Sequence, residues 1–429
     1  MLDINFIKEN RAIVESAITN KKGEPVDLDQ LFQLFDDRKK LQQELDEVNR
    51  GRKAAAETRD IEAGTQLKSR GQKLEEELRE VEKDFVALMV KIPNIPSPDT
   101  PIGASEEDNV VVRQVGDKPT FDFTPKAHWD LGPALGVIDN ETAAQVSGAR
   151  FTYLKGNLAL LQFALLQHAF AVLTNKELLE DIASRAGIKV PVTAFTPVVP
   201  PVMVKPAVLN RMARLEPRED RFYIESDDLF LVGSAEHTLG PMHMDTMFDE
   251  AELPIRYVGY STSFRREAGS YGKDTKGILR MHQFDKLEIE TFVLPEYSYA
   301  EQDFIVAVQE HLMQSLQLPY QVVAICTGDM GGPDQRQFDI ETWMPGQDAY
   351  RETQTSDFMG GYQARRLNTR VKRADGKKEH VHMNDATVFA IGRTLIAIME
   401  NYQQADGSIA VPQVLRPYMF GNDSISPAR

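Results

Sequence analysis

At 429 residues and 48.3 kDa the chain is too long for one ordinary core and suits two or three domains, with 42% hydrophobic and 27% charged residues in the usual balance of a soluble protein. A net charge of -16 argues against a protein that coats nucleic acid, so any RNA contact must come from local basic patches. The single cysteine, Cys326, leaves no intrachain disulfide and no cysteine zinc cluster and fits a reducing cytoplasm. The start, Met1-Leu-Asp-Ile-Asn-Phe-Ile-Lys-Glu-Asn, is acidic and amphipathic, unlike a signal peptide. No run of apolar residues reads as long enough to span a bilayer.

The first hundred residues read as helix. Leu34, Leu41 and Val48 recur at seven, with Leu31 and Leu45 in the companion register. After a break at Ala63-Gly64-Thr65, Leu67, Leu74, Val81 and Leu88 repeat at seven, accompanied by Leu78, Phe85 and Ile92. Two apolar positions per heptad make a coiled-coil seam, and two such segments around a short break predict an antiparallel hairpin. The proline-rich run from Pro93 ends it, which sets domains at 1–100 and 101–429. At the far end of the hairpin, Arg50, Arg52, Lys53, Arg59, Lys68, Arg70 and Lys73 face only Glu57, Asp60 and Glu62, leaving +4 in an acidic protein. A solvated helix face would explain this; so would an arm that touches a phosphate backbone.

From about Asn109 apolar alternation alternates with longer amphipathic stretches. Leu158 to Leu173 and Phe389 to Tyr402 are expected as helices; Tyr257 to Glu267, Gln283 to Leu294 and Gln337 to Met344 are expected as strands. Long antiparallel strands mixed with helices predict an α+β domain.

The stretch from Ser263 to Glu288 carries the most chemistry. Read as strand, loop, strand, it puts Arg265 and Glu267 on one face, and Phe284, Lys286 and Glu288 on one face of the return strand. Phe264, Leu287 and Ile289 take the other side. Phe284 and Glu288 are then roughly 13 Å apart, enough for a base at one end and a small polar group at the other. The loop carries Lys273, Lys276 and Arg280 among glycines, which suits phosphates. A surface hairpin with exposed salt bridges explains any single Arg/Glu pair. It explains poorly why an aromatic and several charges share a face.

That stretch resembles motif 2 of the class II aminoacyl-tRNA synthetases in the form used by the seryl-tRNA synthetase family. Val198-Val-Pro-Pro-Val resembles motif 1 of the dimer interface, and Ala390-Ile-Gly-Arg-Thr-Leu-Ile-Ala-Ile-Met-Glu-Asn-Tyr-Gln resembles motif 3. Thr327-Gly-Asp-Met, Asp339-Ile-Glu-Thr-Trp and Gln363-Ala-Arg-Arg match further landmarks, and the helical hairpin resembles the family's tRNA-binding arm. The resemblance covers essentially the whole chain.

It implies a coiled-coil hairpin followed by a catalytic domain built on an antiparallel sheet flanked by helices. The implied enzyme is a cytoplasmic homodimer, without zinc, that activates L-serine with ATP and Mg2+ and charges tRNA(Ser); family members can also charge tRNA(Sec). The implied roles are specific. Arg265 holds the α-phosphate and the serine carboxylate, Glu267 accepts from the adenine amino group, and Phe284 stacks on adenine. Arg393 holds the terminal phosphates, making Arg265, Glu267 and Arg393 the catalytic set. Glu352 and Thr355 position the ATP magnesium, with Arg266, Thr353 and Gln354 counted beside them in the ATP site. Ser234, Ala235, Glu236, Glu288 and Thr387, with Arg265, surround serine. Taken alone, Glu288 fits a structural salt bridge about as well, and Thr387 fits a cap before the Phe389 helix.

Three departures lie near the amino-acid side chain. Ser234 stands for threonine, Gln354-Thr-Ser-Asp-Phe for Ser-Ser-Cys-Ser-Asn, and Asn384-Asp-Ala-Thr-Val for the shorter Asn-Gly-Ser-Gly. Two other readings exist. One is a synthetase-like ligase that loads an amino acid onto a carrier protein, against which the intact hairpin argues. The other is a non-catalytic coiled-coil binding protein, against which the joint presence of Arg265, Glu267, Glu288 and Arg393 argues.

Overall fold

The computed structural model describes residues 1–268, 274 and 276–426. Lys273, counted above among the loop's bases, lies outside the described residues. The chain divides into two compact units, Met1–Ile95 and Pro96–Arg429.

The first unit opens with two short helices, α1 (Ile4–Glu9) and α2 (Arg11–Asn20), followed by two long ones, α3 (Leu28–Thr58) and α4 (Ile61–Met89). The long pair forms the hairpin. Its seam buries Leu45, Val48 and Leu74, with Leu41, Leu67 and Leu78 packed against them. Near the base, Ile7, Val14, Leu28, Leu31, Phe85 and Met89 close a second cluster. Gly71 permits close approach, since a Cβ there would touch Val48 Cγ1 at 3.4 Å. The turn is not at Ala63-Gly64-Thr65, which lie inside α4. It is at Arg59, in the left-handed region (φ 56°), and Asp60, whose side chain accepts from Ala63 N and caps α4. An N-cap carboxylate outweighs a helix glycine as a boundary signal, because it satisfies a backbone donor the helix leaves open. All seven bases of the arm are exposed.

The second unit is built on an eight-stranded sheet. Its strands in chain order are β1 (Val110–Val115), β2 (Thr196–Val198), β3 (Ile255–Phe264), β4 (Gln283–Val293), β5 (Tyr320–Ala324), β6 (Arg336–Met344), β7 (Ala349–Gly360) and β8 (His382–Ala390). Their spatial order is β1-β5-β6-β7-β8-β4-β3-β2, antiparallel except for the parallel pair β2–β3. One face is covered by α5 (Gly156–Leu173), α6 (Ser298–Ser315) and α7 (Ile391–Asn401), which share one core cluster with the sheet.

Two expected boundaries move. β3 ends at Phe264, so Arg265 and Glu267 stand beyond the strand rather than alternating along it. Phe389 and Ala390 are the last residues of β8, and α7 starts at Ile391. Thr387 therefore lies inside a strand and caps no helix. One expectation is also reversed: α5 is long and apolar enough, by length and composition, to cross a membrane. Leu158, Leu161, Leu165 and Leu173 of this helix are fully buried in the core cluster, which accounts for its apolar character.

Polar side chains of α6 fix the strands that carry the site. Gln309 Nε2 donates to the carbonyls of Thr355 (2.9 Å) and Thr387 (2.7 Å), linking β7 to β8 from the core side. Gln302 does the same for Arg336 and Ser356. Burying these amides is tolerated because each reaches strand carbonyls.

Candidate active site

Successive residues of a strand face opposite ways, so the even positions of β4 form one row: Phe284, Lys286, Glu288 and Glu290. Phe284 and Lys286 line a cavity of about 300 Å³. Arg265 and Glu267 reach the same cavity from beyond the end of β3, Glu352 and Thr355 reach it from β7, and Arg393 from the first turn of α7. Phe284 and Lys286 of that row and the motif residues thus meet in one place, with Glu236; of the other residues assigned to serine, Ser234, Ala235, Glu288 and Thr387 do not line this cavity.

At the nucleotide end, Arg265 Nε donates to the carbonyl of Gly233 (3.0 Å) and its guanidinium lies over the Phe284 ring at 5.4 Å. Glu267 takes a positive φ (53°) and meets Arg280 at 2.5 Å. That left-handed residue, not strand periodicity, turns its carboxylate toward the cavity. Arg393 Nη1 lies 3.0 Å from Glu352 Oε1. The Glu352 carboxylate charge pushes the Arg393 pKa up. For Glu352, burial raises the carboxyl, but Arg393, then Lys286, outweigh it and hold it below the usual range.

At the opposite end, Ser234 Oγ donates to Glu288 (2.7 Å), which also pairs with Lys286. Ala235 is fully buried and precedes the short helix Glu236–Leu239. Burial would raise the Glu236 carboxyl, but Arg214, whose Nε lies 2.6 Å away, brings it down to about 2. His237 is buried, and its pKa falls to about 3, chiefly by desolvation. Its Nδ1 accepts from Gly233 N at 3.1 Å, which requires the neutral ring. Thr387 stands opposite Glu288 in register, and among the described residues its hydroxyl has no hydrogen-bond partner.

Three residues assigned to the ATP site are placed differently. Arg266 is exposed, donates to the carbonyl of Arg221 (2.9 Å) and lies over Phe222 at 4.7 Å. Thr353 is the extra residue at a register shift between β6 and β7, and its hydroxyl is shared with Thr342 (2.7 Å) and the Ile340 carbonyl. Gln354 donates to the Val388 carbonyl (2.6 Å), at the point where the β4–β8 register jumps. None of the three lines the cavity. A bulge shifts the facing of residues across it, and no residue type in the run Glu352–Thr355 announces one.

Arg280, expected from the loop's basic character, lines the cavity; the sequence reading missed Arg214, Arg221, Asp357 and Asp385, which line it too. Asp385 was legible, since it shares a face with Thr387 two residues on. Arg214 and Arg221 come from irregular chain outside any strand and had no periodic signal.

Comparison with known proteins is consistent along the chain. A family model described as the tRNA synthetase class II core domain (G, H, P, S and T) matches residues 221–402, and one described as the seryl-tRNA synthetase N-terminal domain matches residues 1–96. A serine–tRNA ligase of Geotalea uraniireducens is 39% identical, covering 99% of this chain and 100% of its own. A seryl-tRNA synthetase of Pyrococcus horikoshii, solved with ATP, superposes with a TM-score of 0.85 at 34% identity, covering 100% of both chains. A cytoplasmic serine–tRNA ligase of Naegleria fowleri, solved with AMP, gives 0.83 at 30%, covering 100% of this chain and 99% of its own.

Proposed function

The chain belongs to the seryl-tRNA synthetase family, and from that premise we propose how its own residues divide the work. The protein is an ATP-dependent serine–tRNA ligase: it forms seryl-adenylate and passes serine to tRNA. The observation that carries the division of roles is the segregation along one strand, with Phe284 at one end of the row and Glu288 at the other.

Adenine stacks on Phe284, and its amino group donates to Glu267, which exchanges its contact with Arg280 for the base. Arg265 bridges the α-phosphate and the serine carboxylate, as a planar two-pronged cation is able to do. A serine carboxylate oxygen attacks the α-phosphorus, and pyrophosphate leaves toward Arg393. The protein supplies no nucleophile, only alignment and positive charge where charge moves onto phosphate oxygens. Glu352 and Thr355 would hold magnesium together with the phosphates. The fit is good: Arg393, 3.0 Å away, favours the charged form of Glu352, and a small hard cation bound through phosphates asks for only one or two protein oxygens. Magnesium there would add charge neutralisation. Glu288 and Ser234 receive the serine ammonium and hydroxyl. The terminal ribose hydroxyl of the tRNA then attacks the adenylate carbonyl carbon, and AMP leaves.

The arm, residues 1–100, is read as the tRNA guide, through Arg50, Arg52, Lys53, Arg59, Lys68, Arg70 and Lys73. The partner is tRNA(Ser), with tRNA(Sec) decided by the same charging assay. The edge strand β2 runs into Val199, 87% exposed, which supports a homodimer built through that segment. The buried lone thiol of Cys326 supports a reducing compartment, the cytoplasm. The relatives are named as serine–tRNA ligases over their whole length, arm included, and lend nothing to a carrier-protein ligase or a non-catalytic binding protein.

Pyrophosphate exchange into ATP across a panel of amino acids tests this reading. Serine-dependent exchange is expected; exchange with glycine or alanine but not with serine would remove it.

A further inference from the structure

Serine offers its pocket one hydroxyl, a single donor and acceptor. More carboxyl groups stand at the amino-acid end of this cavity than that calls for, with Asp357 and Asp385 lining it and Glu290 beside them in the sheet. In register, Asp357 of β7 stands opposite Asp385 of β8, and Asp385 stands opposite Glu290 of β4. Three carboxylates thus sit side by side on three adjacent strands, all buried. Like charges directly opposite one another in a sheet destabilise it. Arg214 reaches Glu236 and Asp385 (2.6 and 3.4 Å), and Lys286 is taken by Glu288. Among the described residues, neither Asp357 nor Glu290 is in an ion pair. Glu290 is fully buried, and neither of its carboxylate oxygens has a hydrogen-bond partner. It continues the row of Lys286 and Glu288, and the unpartnered Thr387 hydroxyl lies on the face that Asp385 presents to the cavity.

We propose that this pocket accepts, besides serine, amino acids that carry a protonated amine where serine has its hydroxyl. 2,3-diaminopropionate is the member of serine's own size. The inference rests on the adenylate-forming reading above. An ammonium brings three donors and a positive charge, which the carboxylate row and the Thr387 hydroxyl satisfy together. A metal ion is the poorer occupant, because no group of three His, Cys, Asp or Glu among the described residues is arranged to hold one. With no cation in place, burial first, and then the neighbouring acids, push the Asp385 and Glu290 carboxyls up. A bound ammonium would let them ionise. The reaction is unchanged: the α-carboxylate oxygen attacks the α-phosphorus and pyrophosphate leaves, while the side-chain amine stays protonated.

The test is pyrophosphate exchange by the full chain with serine, 2,3-diaminopropionate and alanine, repeated with Glu290→Gln and Asp357→Asn. Exchange with 2,3-diaminopropionate well above alanine is expected, together with a fall of at least about tenfold in its kcat/KM relative to serine in either variant. Exchange with serine but none with 2,3-diaminopropionate above alanine would overturn this inference and leave the synthetase reading intact. A selectivity ratio unmoved in both variants would also overturn it. Exchange with none of the three would instead count against the parent reading. The unmodified chain alone decides the first outcome, whatever the folding of the variants.

Discussion

Glu290 makes the strongest prediction at the scale of single residues. Burial, and then Glu236, hold its carboxyl well above the ordinary 4.5. Above pH 4.5 the unfolded chain gives up that proton while the folded chain keeps it, so the group lowers stability progressively as pH rises toward its folded value. Glu290→Gln removes this term. Its melting temperature relative to the parent should rise from pH 5 to pH 8, measured by thermal unfolding; an advantage that shrinks with pH contradicts the assignment. Arg265→Ala should cost about 10²–10³ in kcat/KM for exchange, with Arg265→Lys intermediate because an ammonium lacks the planar fork. Much of this was legible, because strand periodicity alone places Phe284, Lys286 and Glu288 together. Carried two residues further, the same rule reaches Glu290. It fails where the backbone leaves the rule: at Thr353, the residue displaced by the register shift, and at Glu267, which needs a positive φ.

The arm is an element whose heptads could be read directly, since Leu45, Val48 and Leu74 are buried as the seam requires. Its turn could not be read from glycine content, because Asp60 capping decides where α4 begins. Asp60→Ala should lower arm stability by about 1 kcal/mol, seen as lost helicity at lower temperature by circular dichroism. Replacing Arg50, Arg52 and Lys53 by glutamine should weaken tRNA binding and reduce the salt slope by about one per lost phosphate contact. An unchanged slope would make those bases a solvated face after all. Deleting residues 26–92 should abolish tRNA charging and spare adenylate formation; unchanged charging would locate tRNA docking elsewhere.

For the whole molecule, the α+β class followed from the alternation of strand-like and helical stretches, but the spatial order of the strands did not. Neighbours such as β4 and β8 are separated by almost ninety residues, while β8 is tied to its other neighbour β7 by Gln309. Light scattering should give about twice 48.3 kDa for the chain in solution. The central claim is that the polar face of the hairpin around Arg265 and Glu288 aligns a nucleotide against a small zwitterion. A crystal structure with a non-hydrolysable seryl-adenylate analogue tests it most directly. The base should stack on Phe284, with the phosphate mimic on Arg265 and the ammonium beside Glu288. An analogue bound away from that row, with Arg265 and Glu288 touching no part of it, would contradict the account.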